Sequence, residues 1–242
     1  MAKLIDEYEA ALPAGGWPNW VLGNHDNPRI ASRVGAVQAR VAAMLLLTLR
    51  GTPTIYYGEE IGMAQLPIGL HHVRDQVEAN LPGIGLGRDG CRTPMQWDQS
   101  RNAGFSKGKP WLPVARTYRK MNLNAQRKEE NSHYQLYQRL IAIRRAYPAL
   151  SFGSYNPIAA SGDLLTYIRV LGEERLLIAL NLGHEPLSTT LTAFLVRGRL
   201  LMSTEEDRVG ESINQSIDLR PHEGVIVELA STDPSSEREA VR

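Results

Sequence analysis

Three groups of residues in the 242-residue chain have the types and spacing that chemistry needs. The first is His25-Asp26 in the polar run Asn24 to Arg29, which follows an aromatic and apolar stretch, Trp17 to Leu22, and a break at Gly23. An imidazole beside a carboxylate at a strand end can face a cleft, bind hydroxyl-rich ligands or steady positive charge. A loop turn with a helix cap explains the same residues, and Asn24 and Asn27 are ordinary turn formers. The second group is Glu59-Glu60, either an acid/base pair or simply a helix start. In the third, Gly87 to Trp97, Arg88, Asp89 and Arg92 suit a guanidinium gripping a carboxylate or a sugar hydroxyl beside an aromatic wall, or an arginine pinning a long loop by its carbonyls. Trp17, Trp20, Trp97 and Trp111 could stack on sugar rings or merely pack.

Other candidates are weaker. His71 and His72 are neighbours without metal-ligand spacing, and a site uniting them with His25 and Asp26 is not expected. The single cysteine, Cys91, excludes an internal disulfide and a cysteine-built metal site; it has no nearby base to activate it. The 27 Lys and Arg against 26 Asp and Glu leave no global field for nucleic acid or an anionic membrane, so a neutral substrate fits better. The longest apolar stretch, Ala42 to Leu49, is too short to span a bilayer, and Met1 to Ala11 lacks the pattern of a signal peptide, so a cytoplasmic chain is expected.

The elements that would position these residues follow from periodicity. Trp17 to Leu22 reads as a buried strand. Apolar residues then recur at helical spacing from Ile30 through Val34, Val37 and Val41 to Thr48, and Gly51 and Pro53 close that helix. Thr54 to Tyr57 reads as a second strand, completing a βαβ unit of the kind that places ligands at the carboxyl ends of parallel strands. From Leu66 to Trp111 the glycines and prolines predict a long ordered loop. Ser132 and Gln135 have capping-box spacing before Leu136, Leu140, Ile143 and Tyr147, a helix that Pro148 stops. Beyond Ser151 short strands are expected at 164–170, 175–181, 187–191 and 225–229, as an antiparallel β domain over 151–230, with a tail at 231–242.

Three motifs then converge: Trp17 to Arg29 (WPNWVLGNHDNPR), GTPTIYYGEEIGM from Gly51, and PGIGLGRDGCRTPMQWD from Pro82. Together, and in this order, they resemble the α-glucosidases of the α-amylase superfamily of glycoside hydrolases, over roughly positions 3 to 230. The resemblance implies an α/β architecture, with residues 1–150 as the last part of a (β/α)8 barrel: strands seven and eight, the loop after strand eight and the final helices. An antiparallel β-sandwich would follow at 151–230. It implies retaining hydrolysis of α-glucosidic bonds, with a nucleophilic aspartate after strand four and a general acid after strand five, both preceding these residues. Asp26 then resembles the third carboxylate, which favours the transition state. His25, Arg88, Asn27 and Arg92 resemble sugar-binding residues, and Glu59 and Glu60 are neither nucleophile nor acid. The implied partners are an α-glucoside or malto-oligosaccharide and the remaining barrel portion, with no metal and no cofactor. A barrel of this type takes about 250 residues, and two strands cannot close one, so aggregation, partner binding or dependence on another half is expected. A non-catalytic carbohydrate-binding or partner-assembly module is the alternative, and within enzymes an oligo-1,6-glucosidase or a trehalose-forming glucosyl transferase. A polypeptide without a stable fold is a further alternative.

Overall fold

The computed structural model describes residues 1–190 and 197–230. The expected tail at 231–242, and the last residue of the strand expected at 187–191, lie outside the described residues. In chain order the elements are α1 (Ala2–Ala11), β1 (Asn19–Val21), α2 (Ile30–Val34), α3 (Ala36–Thr48), β2 (Thr52–Thr54), α4 (Gln76–Asn80), α5 (Leu123–Gln126), α6 (His133–Ala146), α7 (Ala149–Phe152), β3 (Ser154–Ser161), β4 (Leu164–Leu171), β5 (Glu174–Asn181), β6 (Leu187–Thr190), β7 (Arg197–Ser203), β8 (Ser212–Asn214), β9 (Ser216–Leu219) and β10 (Gly224–Leu229). They fall into two compact units. One comprises Met1–Pro18, Leu47–Thr52 and the described part of Ile143–Arg242, the other Asn19–Leu46 and Pro53–Ala142.

The first unit is built on an eight-stranded sheet of order β3-β4-β5-β10-β7-β8-β9-β6, antiparallel in every pairing between β3 and β6. The antiparallel character expected from the strand pattern is therefore present. One face carries Ile168, Leu177, Ala179, Leu200, Ile213, Ile217, Val225 and Val227 in a single buried cluster of strand residues. The register agrees with this, because Ile168 opposes Leu177, which opposes Val227, which opposes Leu200. The last carbonyl groups of α3, and those of the turn after it, lack partners within the helix. Two buried guanidinium groups take them. Arg144 donates to the carbonyls of Leu47, Leu49, Leu150 and Gly51 at 2.6–2.9 Å. Arg169, fully buried, donates to the carbonyls of Thr48, Leu150, Gly153 and Ser154.

The second unit holds β1 and the end of β2, which pair as a two-stranded sheet. The structure corrects three local expectations here. The helix expected over Ile30–Thr48 is broken at Gly35, whose φ of 83° favours glycine. Its expected face is also incomplete: Val34 and Val37 are exposed, whereas Ala39 to Leu46 are buried on all sides, as in an interior helix rather than an amphipathic one. The strand expected at Thr54–Tyr57 starts two residues earlier and ends at Thr54, and Tyr56 and Tyr57 lie outside the ladder and donate their hydroxyls to the carbonyls of Cys91 (3.0 Å) and Thr93 (2.8 Å). The cap at Ser132 forms as its spacing predicts, its Oγ accepting from the Gln135 amide at 3.2 Å, but the Gln135 side chain donates to the Arg127 carbonyl instead of closing the box. Residues 66–111 form the ordered, mostly irregular segment expected, with α4 and short 3₁₀ turns inside it.

Candidate functional site

The site lies wholly in the second unit and begins where β1 ends. Asn24 makes the turn: its Oδ1 accepts from the backbone amides of Asp26 (2.9 Å) and Asn27 (3.0 Å) and from Asn27 Nδ2 (3.0 Å). The turn-forming explanation of the asparagines is thus correct, and the turn presents His25 and Asp26. Asn27 gives its backbone and side-chain amide N–H groups to this turn and makes no bond to the Asp26 carboxylate.

Asp26 is the hub. Its Oδ1 accepts from Arg88 Nη1 at 3.2 Å and Arg92 Nη2 at 3.0 Å, and its Oδ2 lies 3.2 Å from His25 Nε2. Arg92 also donates from Nε to the His25 carbonyl at 2.9 Å, tying the long loop to the β1 turn. Three candidates, the adjacent His25 and two arginines more than sixty residues away in sequence, therefore meet at the half-exposed Asp26 carboxylate.

The loop is held by carboxylates that sequence reasoning did not single out for that task. Asp75, with its side chain wholly buried, accepts from Arg88 Nε at 2.6 Å and caps α4 through the Val77 amide at 2.9 Å. The Arg88 guanidinium holds the Asp75 carboxyl down at about 2. Asp75 in turn raises the Arg88 guanidinium further above its ordinary value. Asp89 turns inward, its Oδ2 accepting from the amides of Arg74 and Asp75 at 2.5 and 2.8 Å, so it fixes backbone and faces no ligand. The available sequence signal for Asp75 was its place as an Asx cap before Gln76–Asn80.

A cavity of about 400 Å³ adjoins this hub through Arg92, walled by Tyr57, Trp97, Phe105 and Trp111 with Glu60 among its lining residues. Trp97 and Trp111 are thus placed where stacking is feasible, whereas Trp17 lies in the other unit against Phe152, and Trp20 is half-buried in β1. Glu59 is 2% exposed and desolvation lifts its carboxyl to about 7; burial pushes Glu60 up as well. His71 and His72 sit exposed on a single turn, and among the described residues no cluster of three metal-ligating side chains occurs. Cys91 is buried, and burial pushes its thiol up. A larger cavity of about 480 Å³ in the sheet unit is flanked by Arg208 and Arg220, both already paired with carboxylates.

Residues 1–153 match the α-amylase catalytic domain. The chain belongs to the α-amylase family. It is 36% identical to maltase 1 of Drosophila virilis over 93% of this chain and 37% of that protein. It is 31% identical to an oligo-1,6-glucosidase of Parageobacillus thermoglucosidasius, over 95% of this chain and 45% of that one. Among solved structures, trehalulose synthase MutB of Pseudomonas mesoacidophila MX-45 superposes with a TM-score of 0.86 at 33% identity, covering 95% of this chain and 46% of that one. The chain therefore spans less than half the length of these α-amylase family relatives. Among its described residues, no helix is long and apolar enough to cross a membrane.

Proposed function

We propose that the chain supplies the glucose-binding wall of a retaining α-glucosidase. Asp26 is the carboxylate that stabilises the positively charged transition state, and His25, Arg88 and Arg92 bind the sugar hydroxyls, with Asn27 nearer the next ring. The single observation that carries this reading is the convergence of Arg88, Arg92 and His25 on Asp26 at 3.0–3.2 Å. Around it, two guanidinium groups and the carboxylates of Asp26 and Asp75 sum to no net charge, which suits a neutral saccharide. The nucleophile and general acid come from barrel positions outside residues 1–242, on strands four and five. In this reading β1 and β2 are strands seven and eight of the (β/α)8 barrel, in a region ending near residue 150. The eight-stranded sheet is folded on itself as a β-sandwich, which the strand-only cluster on one of its faces supports.

The relatives' names run from maltase to oligo-1,6-glucosidase to trehalulose synthase, and the reading taken from them is a shared α-linked glucose unit. That shared unit is the substrate class proposed. The test is release of chromophore from a chromogenic α-glucoside. Purified chain alone is expected to release none, and chain combined with the remaining barrel portion to release it; cleavage by the pure chain unaided overturns the proposal. The alternative, a non-catalytic sugar binder, draws on the exposed Trp97 and Trp111 beside Arg92. It expects maltose to raise the melting temperature of the chain while the combined protein stays inactive.

A further inference from the structure

We propose that Asp75 is a positioning residue for glucoside binding: its buried carboxylate fixes the Arg88 guanidinium against Asp26. This rests on the reading of Asp26 and Arg88 as sugar-binding groups and extends it to a residue that touches no sugar. Arg88 is a long side chain, 38% exposed, with many rotamers open to it. One of them is selected by two bonds to the same oxygen: Asp75 Oδ2 accepts from Arg88 Nε at 2.6 Å and from the Arg88 amide at 3.2 Å. With Nε directed to Asp75, the planar fork carries Nη1 to Asp26, and Nη2 has no protein partner among the described residues. Asp75 is itself immobilised. Its other oxygen caps the Val77 amide, its own amide is held by Asp89 at 2.8 Å, and its side chain is closed to solvent. Burial alone would push this carboxyl up, but its bond to the Arg88 guanidinium outweighs that and holds it at about 2, so Asp75 is ionised at neutral pH. The loop thus delivers Arg88 to Asp26 already oriented.

Asp75→Asn separates the roles. The amide oxygen can still cap Val77, but the nitrogen that replaces Oδ2 cannot accept from Arg88. Asp75→Ser, which also keeps a cap, is the second variant should the first fold poorly. Calorimetric titration of maltose and of glucose into the chain is expected to show binding weakened about tenfold in either variant. Arg88→Gln should weaken binding at least as much, and the double variant Asp75→Asn with Arg88→Gln should be no weaker than Arg88→Gln alone, because Asp75 acts through Arg88. Additive losses, or full affinity in both Asp75 variants, overturn the inference. If the unmodified chain binds neither sugar, the glucose titrations are made on the chain combined with the remaining barrel portion, and absence of binding there fails the underlying functional reading first, a result distinct from the other two.

Discussion

Glu59→Gln tests whether burial, rather than its ionic neighbour, governs the acidic pair after β2. Glu59 is 2% exposed, its Oε2 accepts from the Tyr56 amide at 3.1 Å, and its Oε1 has no partner among the described residues. Arg29 opposes the effect of desolvation but does not cancel it, and the carboxyl rises from 4.5 to about 7. In the unfolded chain the group loses its proton near 4.5; in the native state it keeps it to about 7. Unfolding across that window therefore releases a proton, so this group's contribution to stability falls as pH rises and levels off above 7. A rise of that size corresponds to about 3 kcal/mol by pH 8. Glutamine can accept from the Tyr56 amide and never ionises. In urea unfolding followed by tryptophan fluorescence, Glu59→Gln should match the parent near pH 4.5 and exceed it at pH 8 by up to about 3 kcal/mol. A variant less stable than the parent at pH 8 refutes the reasoning, because it means that Arg29 relies on the Glu59 charge more than burial penalises it.

Arg169→Lys keeps the charge but loses the fork that serves four carbonyls, and should lower unfolding free energy by about 3 kcal/mol. A urea midpoint unchanged from the parent contradicts the role given to this guanidinium. Cys91, 1% exposed, should react with a thiol reagent about 100-fold more slowly in the native chain than in urea. Equal rates would show that the Arg88 to Trp97 segment opens freely.

The residues of the Asp26 cluster were legible because motif types carry chemistry independently of the fold: an aspartate beside a histidine after an apolar run, and arginines in a glycine-rich stretch. Their convergence was not, since the two arginine partners of Asp26 lie more than sixty residues away. Asp75 was invisible as a positioning group because nothing local distinguishes an aspartate that caps α4 from one that also grips Arg88. The strands missed from the sheet have physical reasons too. β3 contains Pro157 and a register shift beside it, β7 shifts register opposite β10, and β8 and β9 are separated by Gln215 alone, in the left-handed region at φ 63°. Helix α1 was not among the expected elements, and Ile5 is its one buried residue.

The charge layout bears on how the proposed role of Asp26 can work. A carboxylate that steadies a cationic glucosyl centre loses effect if two guanidinium groups already neutralise it. Arg88 and Arg92 both touch Oδ1, so the offset would be severe if both charges were uncompensated. Asp75 compensates one of them from a site closed to water, where its interaction with Arg88 is least screened. That leaves Asp26 facing Arg92 alone in net charge, with Oδ2 beside the exposed His25 imidazole. On the proposed reading Asp75 would do two things through its bond to Arg88: orient the guanidinium as a hydroxyl donor, and keep it from neutralising the field that the transition state requires. A variant lacking the Asp75 charge should therefore impair a developing positive charge more than a neutral bound sugar, which separates electrostatic positioning from simple scaffolding.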